Sequence, residues 1–117
     1  MRTAHYNKFG NHKTEVDGIV FDSSHEAKRY SELKLLQRGG VISGLELQPV
    51  FVLQEPFEHG GIKYRAIKYI ADFSYYPKGE ETVLTVEDAK GYAKIKEYII
   101  KKKLLLYKYP DINFIES

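Results

Sequence analysis

YIADFSYYPKGEETVLTVEDAKGY, residues 69–92, is the stretch whose reading decides the fold. It reads as two extended runs about a Pro77-Lys78-Gly79-Glu80 turn, with Asp72, Asp88 and Lys90 where packing residues would be expected. Side chains of an extended run alternate between faces, so Asp88 and Lys90 point the same way as Leu84 and Val86, and Glu87 points the other way. With the turn near Gly79, Asp72 falls across from the neighbourhood of Val86 to Asp88, so two acids and a lysine meet on one face. Adjacent carboxylates in a half-buried sheet repel unless a cation lies between them, and oxygen-only ligands suit Mg²⁺ or Mn²⁺ better than zinc. The plainer alternative is a cross-strand ion pair of Asp72 with Lys90, Asp88 merely closing the strand before Gly91; the hairpin alone does not separate the two.

Working outward, TEVDGIVFDS (14–23) places two short apolar runs about Asp17-Gly18, a tight-hairpin signal. SSHEAKRYSELKLLQRGG (23–40) begins with a Ser23 cap and Glu26 three residues on, and stops at Gly39-Gly40, which predicts a helix. Glu26 falls between Tyr30 and Leu33, on the side facing the core, so it is either the return contact of the capping box, an acid aimed at the hairpin, or both. VISGLELQPVFVLQ (41–54) alternates as one strand, with Pro49 favouring a sheet edge and Glu46 and Gln48 sharing a face. After a loop at His59-Gly60-Gly61, IKYRAIKYIADFSYY (62–76) predicts one long extended run, and ETVLTVEDAK (81–90) returns antiparallel to its second half. YAKIKEYIIKKKLLLYKY (92–109) reads as a second helix that Pro110 ends, and DINFIE (111–116) as a closing strand. The expected order is hairpin, helix, three strands, helix, strand.

At 117 residues the chain suits one compact domain, read as residues 14–117 behind a flexible basic arm, 1–13. With no cysteine, packing alone must hold the fold. Neither an apolar leader nor a bilayer-length apolar run is present, which predicts a cytoplasmic protein with no membrane partner. The net charge of +2 hides two basic segments. One is the arm with Arg2, Lys8 and Lys13; the other runs from Lys90 through Lys94, Lys96, Lys101, Lys102 and Lys103 to Lys108 with Glu97 as its lone acid. Phosphate is the partner such segments suit, although a solvated helix face and a soluble tail explain the charge equally well. The second helix also carries two apolar stripes: Ile95, Tyr98, Ile99, Leu105, Leu106 and Tyr109 on one side, Ile100, Leu104 and Tyr107 nearly opposite. The latter stripe packs on the N-terminal hairpin or makes a dimer contact. The four histidines are scattered without ligand spacing, and none is assigned to metal.

Glu26 on a first helix, Asp72 before a turn, and Asp88-Ala89-Lys90 ending a strand that leads into a lysine-rich helix resemble the P-D-(D/E)-x-K nuclease superfamily. FDSSHEAKRY, ELQP and KYPDINFIE extend the resemblance, from about Val16 to Glu116, to small bacteriophage proteins of that superfamily and to phage and archaeal Holliday-junction-resolving endonucleases. Ala71 stands where the motif name has proline, and Asp88 where glutamate is commoner. The resemblance implies an α/β fold with a restriction-endonuclease-like core, a mixed central sheet flanked by helices and an N-terminal β-hairpin. It implies a phage-encoded, Mg²⁺-dependent DNA endonuclease of the bacterial cytoplasm, with Mn²⁺ as substitute, acting on junction or branched DNA as a homodimer. Asp72, Asp88 and the Ala89 carbonyl would ligate the metal, Glu26 would complete the shell directly or through water, and Lys90 would orient and help deprotonate the attacking water. Lys94, Lys96, Lys101 and Lys103, with Lys8 and Lys13 of the arm, would follow the DNA backbone, and Gln48 is a candidate phosphate contact set against a plain polar edge residue. Two other functions fit the same residues: a nicking or end-processing nuclease of phage recombination or packaging, and a catalytically idle DNA-binding module.

Overall fold

The computed structural model describes residues 13–89 and 96–117. Strands β1 (Thr14–Val16) and β2 (Ile19–Phe21) form the expected hairpin, its turn made by Asp17 and Gly18 at φ 55° and 78°, both left-handed as this tightest turn requires. Helix α1 (Ser24–Arg38) starts where the Ser23 side chain accepts the Glu26 N–H at 3.1 Å and stops where the Gly39 N–H returns to the Leu35 carbonyl at 3.0 Å. Its buried stripe is Ala27, Tyr30 and Leu33, and the Tyr30 hydroxyl ties it to the hairpin through Asp17 at 3.1 Å.

The remaining strands are β3 (Ile42–Leu47), β4 (Val50–Gln54), β5 (Phe57–His59), β6 (Ile62–Tyr64), β7 (Ile67–Ile70), β8 (Phe73–Pro77), β9 (Thr85–Asp88) and β10 (Asn113–Glu116). The main sheet is mixed, in the order β10-β9-β8-β3, with β10 parallel to β9 and the other pairs antiparallel. The expected single strand over 41–54 breaks at Gln48-Pro49, because proline brings no N–H to a ladder and Gln48 takes φ 50°. Opposite it, the expected run over 62–76 breaks at Ala71-Asp72. Pairing nevertheless continues through the bend. Leu47 pairs with Phe73 before it and Val50 with Ile70 after it, while the Gln48 N–H reaches the Asp72 carbonyl at 2.9 Å and the Ala71 N–H the Pro49 carbonyl at 3.2 Å. So β3–β4 and β7–β8 form one bent two-stranded ribbon. At its far end β5 and β6 make a separate hairpin about Gly60 and Gly61 that contacts no other described strand or helix.

Helix α2 (Lys96–Lys108) packs on β4 and β7, not on the N-terminal hairpin. Of its expected core stripe, Leu105 is fully buried and Tyr98 and Tyr109 pack beside it, but Ile99 and Leu106 are exposed, since a two-stranded ribbon covers less than half of a helix. Ile95 lies outside the described residues. Ile100, Leu104 and Tyr107 are exposed as well.

Two cores result. One gathers α1 with Phe73, Tyr75 and Ala89; the other gathers Leu105 with Tyr69, Ala71 and Val86. Strand β9 runs between them, and all four of its residues are buried although only Val86 is apolar. A strand covered on both faces is normally a continuous apolar run, so this composition marks β9 as the place to look for function. Among the described residues no helix is long and apolar enough to cross a membrane.

Candidate active site

Glu87 and Asp88 are neighbours on β9 and project to opposite faces. Glu87 turns toward α1 and is wholly buried. It accepts from Arg29 Nε, from Arg29 Nη2 at 3.0 Å and from the Tyr75 hydroxyl at 2.7 Å. Burial alone would push the Glu87 carboxyl up, but the hydrogen bonds from Arg29 and Tyr75 and the guanidinium charge outweigh it and hold the carboxyl below its usual range. Reciprocally, the bond to Glu87 raises Arg29, while burial and then Glu87 push the Tyr75 phenol up to about 12. Arg29 also meets Glu32 at 3.0 Å, one turn along the helix.

Asp88 is 1% exposed, faces the α2 side, and accepts on Oδ2 from the Tyr69 hydroxyl. Burial first, and then the bond and charge of Asp88, push the Tyr69 phenol far above its usual value, so it stays a donor. Asp72, 5% exposed, brackets Asp88 from the neighbouring segment. The Asp72 N–H donates to the Glu87 carbonyl at 3.2 Å and its Oδ2 accepts the Ala89 N–H at 2.7 Å. Strand β10 closes the other side, the Ser117 N–H reaching the Asp88 carbonyl at 3.0 Å. The bend in the ribbon is what creates this arrangement. By breaking the regular ladder at residue 72, it lets a side chain do the work of a backbone carbonyl and turns an aspartate into the heart of the sheet.

Glu26 is half-buried and holds the expected capping position. With Gln48 it lines a cavity of about 280 Å³ walled by Ile19, Val20, Phe21 and Leu47. Through its backbone Gln48 joins that cavity to Asp72. The structure therefore brings together Asp72, Asp88 and Ala89, and sets Glu26 and Gln48 on one cavity, linked to Asp72 through the Gln48 N–H. Among the described residues no group of three or more His, Asp or Glu side chains is assembled that could hold a metal ion. Lys8, Lys90 and Lys94 lie outside the described residues, as does the arm up to residue 12. Lys13 pairs with Asp22 at 3.1 Å and Lys101 with Glu97 at 3.0 Å, while Lys96 and Lys103 are exposed.

Sequence reasoning missed Tyr69 and the Arg29–Glu87–Tyr75 cluster. A signal for the cluster was present: Glu87 is the out-of-phase acid of its strand, and Arg29 lies one turn from Glu26 on the same side of α1. Nothing in the local pattern pointed to Tyr69, whose role arises from the bend.

As a donor set, two buried carboxylates offer hard oxygen ligands, the kind that Mg²⁺ and Mn²⁺ take. The fold and site together define a mixed α/β protein with paired aspartates at the bend of its central ribbon. Residues 6–116 match the model of a family described as "Protein of unknown function (DUF1064)", and the chain belongs to that family. No curated protein and no solved structure matches the chain.

Proposed function

We propose that this protein is a Mg²⁺-dependent DNA endonuclease acting on branched DNA, most specifically four-way junctions. The observation that carries the reading is the burial of Asp72 and Asp88 at one bend, at 5% and 1% exposure, oriented by an amide N–H and a phenol. Burying two carboxylates so close together is costly, and a divalent ion held by both would offset that cost. Asp72, Asp88 and the Ala89 carbonyl would hold Mg²⁺, which when bound neutralises the scissile phosphate and activates water. Glu26, at the rim of the adjoining cavity, would accept a hydrogen bond from a water there. Lys90, next in the chain after Ala89, would orient the attacking water and counter the charge growing on the phosphate. Exposed Lys96 and Lys103 would follow the DNA backbone, with affinity falling as salt rises. The exposed Ile100, Leu104 and Tyr107 of α2 offer an apolar face for a second copy, as symmetric cutting of two strands would need.

The test is cleavage of labelled four-way junction, nicked duplex and linear duplex, with Mg²⁺ and with chelator. Junction cleavage that requires Mg²⁺ is expected. Asp72→Asn and Asp88→Asn should abolish it while leaving DNA binding intact, because an amide oxygen still accepts from the Ala89 N–H or the Tyr69 hydroxyl and keeps the fold. Full activity in both variants would refute the assignment.

A further inference from the structure

We infer that Tyr69 is the positioning residue of this centre: its hydroxyl fixes the rotamer of Asp88 and thereby sets the affinity for the divalent ion. The inference rests on the metal reading above and adds to it a residue to which the resemblance gives no role. Tyr69 is 3% exposed on β7, at the register position opposite Phe51. Its ring is held from two further directions, by Tyr98 of α2 and by Phe114 of β10, each with ring centres 6.2 Å away, the latter edge-on at 71°. Three elements distant in sequence therefore converge to aim one hydroxyl, and the group it reaches is Asp88 Oδ2.

A carboxylate turns about its last torsion with little resistance, so a buried ligand aspartate needs an outside contact to keep one face toward the ion. A phenol suits this purpose, because it donates one hydrogen bond and leaves the negative charge in place for the metal. The setting reaches further, since the Tyr98 hydroxyl donates to Glu116, which also meets Lys102 at 3.4 Å. The aim of Tyr69 thus depends on α2 and β10 being docked together.

The experiment is Mn²⁺ binding followed by electron paramagnetic resonance on the full chain, beside Mg²⁺ titration of junction cleavage and thermal melting without metal. Tyr69→Phe keeps the ring and removes the hydroxyl. Loss of an outer hydrogen bond to a metal ligand weakens affinity by roughly 10- to 100-fold, so the Mn²⁺ dissociation constant and the Mg²⁺ concentration for half-maximal rate should rise together by that factor. The rate at saturating Mg²⁺ should change much less. A lowered melting temperature with unchanged Mn²⁺ affinity would make Tyr69 a structural residue and overturn the inference while leaving the metal reading intact. Failure of the unsubstituted protein to bind Mn²⁺, or equal binding by Asp72→Asn, would overturn the metal reading and this inference with it. If circular dichroism shows Tyr69→Phe unfolded, Phe114→Leu loosens the same ring and leaves its hydroxyl. It should weaken Mn²⁺ binding in the same direction, and unchanged affinity there overturns the inference.

Discussion

Replacing Arg29 by methionine should strand the one carboxylate that the fold closes off completely. Glu87 is 0% exposed and draws both of its strongest bonds from the Arg29 guanidinium. Without it the charge keeps the hydroxyl donors Tyr75 and Ser117. Removing one partner of a buried pair costs about 3–5 kcal/mol. The Arg29 side chain is 25% exposed, so solvent softens the loss and about 3 kcal/mol is expected. Against a total of roughly 5–15 kcal/mol, Arg29→Met should remain folded but unfold at clearly lower urea. Its pH dependence should be inverted. In the parent protein Glu87 is held below its unfolded value, so its contribution is present above about pH 4.3 and is lost as pH falls through the folded value. In Arg29→Met burial raises the carboxyl instead, and stability is lost as pH climbs past about 4.3. The deficit should therefore be largest at neutral pH and shrink in acid. Pairing Arg29→Met with Glu87→Met should recover most of the loss, because an apolar pair has no charge to strand. Urea titrations at several pH values measure all of this. A deficit below about 1 kcal/mol with parallel pH profiles would show the pair to be no more than a surface salt bridge, and the reasoning would fail.

Two further perturbations probe the bent ribbon. Replacing residues 56–65 by Asn-Gly, which shortens the β4–β7 connection to a tight turn, should change unfolding free energy by less than about 1 kcal/mol, because β5 and β6 contact no other described strand or helix; a larger fall in urea midpoint would contradict that isolation. Gln48→Gly should leave stability equal or raise it by up to about 1 kcal/mol, since a left-handed residue with a side chain pays a steric penalty that glycine does not, and a fall would mean that the Gln48 side chain helps hold the bend.

How far the sequence could be read depended on whether the deciding signal was local. The Asp17-Gly18 turn, the Ser23 cap, the Gly39 stop and the antiparallel return of β9 on β8 each rest on a few adjacent residues, and each is found where the pattern put it. The bend is different. Pro49 argued for an edge, and β3 is the end strand of the main sheet with β4 paired on β7 alone, but nothing local showed that the chain would turn there, where buried Pro49 gives the ladder only its carbonyl. Helix α2 misled in a similar way, because periodicity says which residues share a face but not whether a sheet or a narrow ribbon will cover it; Ile99 and Leu106 are apolar and remain exposed. Within the candidate site, Asp72 and Asp88 were legible as unexpected charges. Their orienting partners were not, since Tyr69 and the Ala89 N–H reach them through tertiary contacts.

Strand β9 also shows why counting acids is a poor guide to a site. Three carboxylates, Asp72, Glu87 and Asp88, are buried within a few residues of one another, and all three have hydrogen-bond partners. Their donors differ in kind. Glu87 receives a guanidinium, which orients the carboxylate and cancels its charge, and the result is a lock between β9 and α1. Asp72 receives an amide N–H and Asp88 a phenol, neutral donors that orient a carboxylate. Because adjacent residues of a strand face opposite ways, the lock on one side fixes the backbone from which Asp88 projects on the other. The metal role proposed above would draw on that rigidity, since a small hard ion tolerates little error in ligand position.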